Sequence, residues 1–145
     1  MIPNVLDVAL GRSPFVEIFG DDYPTPDGTC VRDYIHVWDL AQAHLRVLDV
    51  LDHRSCRYNI GNGIGYSVRE IINLVQSVTG VPIPVRISPR RFGDLPTLVA
   101  SSALLRKETG WAPRFPELEE IIRSAWQWRR NHPDGFGDPG VHAVG

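Results

Sequence analysis

Short segments with the alternating pattern of β-strands and longer segments with helical periodicity follow one another along the chain, separated by glycine and proline. The strand-like segments are rich in Val, Ile, Phe and Tyr, and turn-forming residues bound them. Because such an exchange of strands and helices is typical of α/β proteins, we expect an α/β fold. The pattern predicts strands over residues 15–19, 31–37 and 57–60, and an edge strand interrupted by two prolines over 81–87.

Helical segments are marked by apolar residues at three- and four-residue spacing and by recognisable ends. Ser67 and Glu70 form a capping box before one segment, and Gly80 ends it. Asp39 and Gln42 form a similar pair, which predicts another helix start at Asp39. A shorter helix is predicted from about residue 102 to Gly110. The other predicted apolar faces are Ile2, Val5, Leu6 and Ala9; Leu40, His44, Val47, Leu48 and Leu51; Val68, Ile71, Ile72, Val75 and Val78; and Leu118, Ile121, Ile122, Ala125 and Trp128.

The size and charge of the chain limit its class. Its 145 residues are enough for one domain with a core, and a net charge of -2 argues against general nucleic-acid binding. No apolar stretch approaches the roughly 20 residues needed to span a bilayer, and no export signal is visible at the first residues. We therefore expect a cytoplasmic protein in which Cys30 and Cys56 are reduced.

The glycines, the histidines and the lysine of the chain lack the spacing that cofactor binding, metal binding or catalysis would need. Gly61, Gly63 and Gly65 follow a predicted strand, but position 66 is a tyrosine, so the dinucleotide fingerprint fails and a tight turn is favoured. The five histidines show no metal-ligand spacing. Lys107 is the single lysine among 15 basic residues, so a mechanism that needs a lysine has one candidate in this chain.

Arginines beside turn-rich segments give the clearest indication of a binding site. A guanidinium presents a planar fork that matches two phosphate oxygens. Arg32 follows one turn-rich loop, and the consecutive Arg90 and Arg91 lie in another, so arginines on two neighbouring loops could hold a diphosphate. The Phe19 ring could cover a base, and Asp94 could accept hydrogen bonds from ribose hydroxyls. The alternative for each arginine is a solvated surface charge, and the residues alone leave it open.

One long series of segments is specific enough to indicate a family. Residues 18–37 read IFGDDYPTPDGTCVRDYIHV, followed by DLAQAH at 39–44, YNIG at 58–61 and PRRFGD at 89–94. With this series the sequence resembles the UDP-glucose 4-epimerases of the extended short-chain dehydrogenase/reductase family. The resemblance implies that residues 1–135 are the carboxyl-terminal, UDP-sugar-binding portion of such an enzyme. Residues 136–145 fall outside it, and their composition predicts a disordered tail.

The same resemblance implies that part of the family's machinery is absent from this sequence. Members bind NAD in an amino-terminal Rossmann domain and use a tyrosine followed four residues later by a lysine. Here the residues four positions after the four tyrosines are Asp27, Trp38, Asn62 and Glu70, and Ala103 precedes Lys107 at that spacing. We therefore expect NAD in the intact enzyme, but no catalytic residue, NAD site or metal site in this chain, which alone would be inactive.

Carried over position by position, the resemblance implies a site for a UDP-sugar. The implied residues, from base to sugar, are Glu17, Ile18 and Phe19 at the uracil, Arg32 and Arg91 at the diphosphate, Asp94 at the ribose and Leu98 at the hexose. A further group belongs to the family signature, and we interpret it as holding the junction between a strand and a helix: Asp33, Tyr34, His36 and Asp39.

The implied activity of the intact enzyme is the interconversion of UDP-glucose and UDP-galactose at C4. Hydride passes from the sugar to NAD, the 4-keto sugar rotates, and hydride returns to the other face. This chain would supply UDP-binding residues only, and the intact enzyme is expected to be a homodimer without nucleic-acid or membrane partners. Two alternatives are another nucleotide-sugar epimerase or dehydratase, and a catalytically inert UDP-sugar-binding module.

Overall fold

The computed structural model of the chain describes residues 1–135, so the predicted tail at 136–145 lies outside the described residues. The helices are α1 (Ile2–Ala9), α2 (Val37–Leu51), α3 (Val68–Thr79), α4 (Ala103–Thr109) and α5 (Leu118–Asn131). The strands are β1 (Val16–Phe19), β2 (Val31–Asp33), β3 (Gly65–Ser67), β4 (Val85–Ser88) and β5 (Thr97–Leu98). This mixture confirms the predicted α/β class. None of the helices described here is long and apolar enough to cross a membrane.

The strands form two small sheets. In one, β1 and β4 run parallel, with Val16 opposite Val85 and Phe19 opposite Ser88. In the other, β2 lies at the centre, antiparallel to β3 and parallel to β5. Within this second sheet Arg32 of β2 lies opposite Leu98 of β5. The sheet therefore places Arg32, a predicted diphosphate-binding residue, beside Leu98, a predicted residue of the hexose pocket.

The main core lies between β1 and three helices, α1, α3 and α5. Ile71, Ile72 and Val75 recur at helical spacing on α3, and all three are buried. Burial of one such side chain stabilises the fold by about 1.5–3 kcal/mol, so this face fixes α3 in place. On β1 the buried side chains are Val16 and Ile18, and strand alternation turns the residues at 17 and 19 to the other side.

The structure confirms the predicted ends of α3. The Ser67 hydroxyl accepts a hydrogen bond from the backbone N–H of Glu70 at 3.1 Å, and the Ser67 backbone N–H donates to the Glu70 carboxylate at 2.6 Å. Gly80 ends the helix with a φ of 71°, which residues with a side chain rarely adopt. Both signals lie within a few residues of the helix ends, so the sequence was enough to find them.

The predicted strand over residues 31–37 exists but is shorter than predicted, and the predicted helix start at Asp39 is wrong. Strand β2 ends at Asp33, and His36 is the N-cap of α2. Its ring Nδ1 accepts a hydrogen bond from the Trp38 backbone N–H at 3.0 Å, which satisfies a free donor of the first turn. Asp39 therefore lies inside the helix and has no capping role.

The buried face of α2 also differs from the prediction. Its buried residues are Asp39 and Ala43, whereas Leu48 and Leu51 of the predicted face are 55% and 50% exposed. The Asp39 carboxylate accepts hydrogen bonds from the backbone N–H groups of residues 114 and 115, at 2.8 and 2.9 Å. These bonds decide which side of α2 faces the protein. Next to them lies a second small core of Ala43, Leu105 and Trp111.

The predicted strand over residues 57–60 is wrong as well, because no strand within residues 1–135 pairs with it. Strands β3 and β5 have three and two residues, and the sequence did not predict them. The helices predicted to end at Gly110 and to carry Trp128 are confirmed as α4 and α5.

Candidate functional site

A cleft of about 790 Å³ brings together β1, β2 and the loop that follows β4. The loop comprises residues 89–94 and is called the 89–94 loop below. Six of the seven predicted substrate-binding residues line this cleft: Glu17, Ile18, Phe19, Arg32, Arg91 and Asp94. Three segments far apart in sequence thus meet at one surface depression.

The Arg91 guanidinium lies over the Phe19 ring, with its Cζ atom 3.5 Å from the ring centroid. The negative face of an aromatic ring attracts a cation at this distance. A nucleotide base can use this face of Phe19 only after the guanidinium has left it. The released guanidinium can then bind an anion.

The Arg32 side chain is oriented by the main chain around it. One of its terminal nitrogens donates to the carbonyls of Val31 and Leu95, both at 2.8 Å. The other donates to the Asp94 carboxylate at 3.4 Å, and both side chains of this ion pair are half-buried. Arg32 and Asp94 therefore lie side by side at the cleft, with little freedom for Arg32 to turn away.

The Glu17 carboxylate is directed across the sheet to β4. It accepts hydrogen bonds from the Ser88 hydroxyl at 2.5 Å and from the Arg86 guanidinium at 2.8 Å. The Ser88 hydrogen bond, followed by that of Arg86, holds the pKa of Glu17 below its ordinary value. The carboxylate thus joins β1 to β4, so any base contact that Glu17 makes is left to its main chain.

Leu98, the seventh predicted residue, lines a neighbouring cleft of about 570 Å³. It is 56% exposed there. Arg32 and Asp33 line both clefts, so the two depressions adjoin at β2. The structure therefore places Leu98 beside Arg32 but in a different cleft from the other five residues.

Asp33 supports the wall between the two clefts. Its carboxylate accepts hydrogen bonds from the backbone N–H groups of Asn62 at 3.0 Å, Gly63 at 2.9 Å and Ala100 at 3.3 Å. The sequence interpretation of Asp33 as a structural residue agrees with these contacts. The two chain segments that it joins are 29 and 67 positions away along the chain, so no local sequence pattern indicated them.

The glycine cluster does not fit a dinucleotide. A Cβ atom at Gly61 would lie 2.4 Å from an Asp33 carboxylate oxygen, and one at Gly65 would lie 2.5 Å from the Val31 side chain. These glycines therefore allow the protein's own segments to pack closely, and that space is filled. Within residues 1–135 no group of three or more His, Cys, Asp or Glu side chains is arranged to hold a metal ion.

Arg90 and Arg91 are neighbours in sequence but have different surroundings. Arg91 lines the cleft, whereas Arg90 is directed away from it and donates to Asp22. Grouping the two arginines as a phosphate clamp is therefore wrong for Arg90. No local sequence pattern indicated this contact, because Asp22 lies 68 positions away along the chain.

Comparison with known proteins identifies relatives over nearly the whole chain. The model of the NAD dependent epimerase/dehydratase family matches residues 1–61. The UDP-glucose 4-epimerase of Halalkalibacterium halodurans is 51% identical over 138 residues, which are 94% of this chain and 41% of that protein. The UDP-glucose 4-epimerase of Streptomyces lividans is 50% identical over 143 residues, 97% of this chain and 42% of that protein.

Solved structures agree with the sequence comparison. A crystal structure of a UDP-glucose 4-epimerase matches with a TM-score of 0.87 at 48% identity, covering 94% of this chain and 42% of that one. The Bifidobacterium longum enzyme in complex with NAD+ and UDP matches with a TM-score of 0.83 at 42% identity, covering 93% and 40%.

The matches therefore cover nearly all of this chain but only part of each relative. The chain spans 41% and 42% of the length of the two curated relatives. Sequence identity near one half and superposable backbones leave one assignment. The chain belongs to the UDP-glucose 4-epimerases of the extended short-chain dehydrogenase/reductase family, and it corresponds to a part of such an enzyme.

Proposed function

We propose that this chain is the carboxyl-terminal, UDP-sugar-binding part of a UDP-glucose 4-epimerase. The observation that carries the proposal is the position of Arg32 between two clefts. On one side lie an aromatic ring, a second arginine and Asp94, and on the other lies Leu98. A UDP-sugar has the same order, since its diphosphate joins a nucleoside to a hexose.

The charges of the larger cleft suit a diphosphate. Arg91 can present a planar fork to phosphate oxygens, and Arg32 adds its positive charge and the N–H donors that Val31, Leu95 and Asp94 leave free. Asp94 can accept hydrogen bonds from ribose hydroxyls. Related enzymes support this use of the site, because solved structures of family members contain UDP or a formylated UDP-arabinopyranose together with NAD.

Binding would exchange one partner of Arg91 for another. A cation over an exposed aromatic ring contributes about 0.5–1 kcal/mol. A hydrogen bond to a charged group contributes about 1.5–3 kcal/mol, so transfer of Arg91 from Phe19 to a phosphate is favourable. The same movement uncovers the Phe19 ring for a base.

The proposal restricts this chain to holding the nucleotide. NAD supplies hydride transfer in the family, but the filled glycine cluster and the spacing around Lys107 do not fit that group here. Because contacts to the UDP, away from the reacting carbon, supply the binding free energy, the sugar itself can be held loosely enough to rotate. This division of labour gives the chain a role in the epimerase reaction without a catalytic residue of its own.

Equilibrium dialysis of the 145-residue chain against labelled UDP tests the proposal. We expect saturable binding, weakened by about ten- to a hundredfold in Arg91→Ala because one charge-assisted contact is lost. Arg91→Lys should recover only part of the loss, since an ammonium lacks the planar fork. Arg123→Ala is the control, because Arg123 is an exposed arginine paired with Glu119 on α5.

Absence of UDP binding by the wild-type chain would overturn the proposal, and so would an equal loss in Arg91→Ala and Arg123→Ala. The same samples, made in a host that lacks its own epimerase, should not convert UDP-galactose. Measurable conversion would show that the redox machinery is present in this chain after all.

A further inference from the structure

The two adjacent arginines of the 89–94 loop contact different parts of the protein. Arg91 lies on Phe19 in the larger cleft. Arg90 lies on the turn that follows β1. The described residues that line the cleft do not include it. One loop therefore carries a cleft arginine next to an arginine engaged by its own protein.

Arg90 makes three different contacts with this turn. Its Nε donates to the Asp22 carboxylate at 2.7 Å, and its Nη2 donates to the Asp22 main-chain carbonyl. Its Cζ lies 4.2 Å from the centroid of the Tyr23 ring. The hydrogen bond between the two side chains lowers the pKa of Asp22 and raises that of Arg90, so both stay charged at neutral pH.

The turn is itself held in place by burial and by a backbone hydrogen bond. Tyr23 is only 5% exposed, and its backbone N–H donates to the Gly28 carbonyl at 2.9 Å. Gly20 has a φ of +81°, and a Cβ atom there would lie 2.6 Å from Cγ of Arg90 and 2.7 Å from the Tyr23 ring. The stem of Arg90 therefore packs against the bare backbone of the turn.

We propose that Arg90 is a positioning residue, which fastens the 89–94 loop to the turn of residues 20–23 so that Arg91 and Asp94 face the cleft. The proposal rests on the proposed function, because it takes UDP as the ligand of these two residues. An isolated surface ion pair contributes little, but Arg90 adds a main-chain hydrogen bond, an aromatic face and a packed stem to its ion pair.

The anchor should act on UDP affinity through the order of the loop. When Arg90 is removed, Arg91 keeps its own chemistry but must be immobilised each time a nucleotide binds. Immobilising one side chain with many rotamers weakens binding by about two- to tenfold, which is less than the loss expected for Arg91→Ala. Arg90→Lys keeps the charge and stem but not the fork, so it should recover part of this loss.

Two measurements on the 145-residue chain test the anchor, and the first needs no ligand. Trypsin cleaves after Arg91, and the rate at the Arg91–Phe92 bond, followed by mass spectrometry, reports how well the 89–94 loop is held. We expect faster cleavage in Arg90→Ala and in Asp22→Ala, with little further change in the double variant because the two residues act as a unit. The second measurement is the dissociation constant of UDP for the same variants.

Two control variants are available in the chain. In Tyr23→Phe the ring under Arg90 remains, and the lost hydroxyl takes no part in the contacts of Arg90, so cleavage and affinity should match the wild type. Arg123→Ala removes an exposed ion pair elsewhere and should also match it.

Unchanged cleavage and unchanged UDP affinity in Arg90→Ala would overturn the anchor. It would also be overturned if Arg90→Ala increased cleavage at arginines throughout the chain, since that indicates general destabilisation. If the wild-type chain does not bind UDP, the proposed function fails, and the cleavage rates then decide the anchoring of the loop by themselves.

Discussion

At the scale of single residues, the neighbour of each charged group decides what that group can do. Glu17 is committed to Ser88 and Arg86, which lie 71 and 69 positions away along the chain. Arg91 is stacked on a ring that it can leave, whereas Arg90 is fastened by several contacts. A sequence shows which residue types are present, but these partners exist only after folding, so the types alone could not separate the roles.

Leu98 carries the prediction at this scale. In an enzyme completed with the amino-terminal part of the Halalkalibacterium halodurans relative, we expect plain UDP-hexoses to be preferred over N-acetylated ones. Leucine is intermediate in volume between cysteine and tyrosine, and the N-acetyl group of a sugar bound in the smaller cleft, as proposed above, would need additional space. Leu98→Cys should raise the ratio of kcat/KM for UDP-N-acetylglucosamine over UDP-glucose by about tenfold, and Leu98→Tyr should lower it by a similar factor.

Leu104→Cys is the matched control for Leu98, because Leu104 is about equally exposed but lies on α4 outside both clefts. If both substitutions at Leu98 leave the ratio unchanged, Leu98 does not face the sugar and the residue carried over from the family is wrong at this position.

At the scale of helices and strands, features set by neighbouring residues could be predicted from the sequence, whereas features set by residues far along the chain could not. The ends of α3 follow from Ser67, Glu70 and Gly80, which act within a few residues of themselves. The orientation of α2 follows from Asp39, whose partners lie 75 and 76 positions away. Strand β5 has two residues and exists because β2 pairs with it, so its own sequence carried no pattern.

Asp39 should therefore be costly to replace. Asp39→Ala leaves the backbone N–H groups of residues 114 and 115 without acceptors, which should lower the free energy of unfolding by about 2–5 kcal/mol. Asp39→Asn keeps one acceptor oxygen and should cost less. Urea unfolding at low protein concentration, followed by tryptophan fluorescence, to which the buried Trp111 contributes, measures both. Asp49→Ala, at an exposed position of the same helix, is the control, and an equally small effect of Asp39→Ala would contradict the role of the carboxylate.

At the scale of the whole molecule, α2 exposes an apolar stripe on the side opposite its buried face. Val37, Leu45, Leu48 and Leu51 recur at helical spacing, and each is at least half exposed. The sheets have two and three strands, and β4 pairs with one neighbour among the described strands. Parallel strands are normally covered on both faces, so a two-stranded parallel sheet has little support of its own.

This exposed surface predicts self-association of the isolated chain. Contiguous apolar surface of this kind favours contact between copies, because each buried Å² stabilises by about 25 cal/mol. Sedimentation velocity over a range of concentrations should show species larger than a monomer at high concentration. The double substitution Leu45→Glu and Leu48→Glu should shift the chain towards the monomer, since association would then bury two carboxylates. Leu104→Glu adds a charge at an equally exposed leucine outside the stripe and should leave the association unchanged. A wild-type chain that stays monomeric at every concentration would show that the α2 stripe does not drive association.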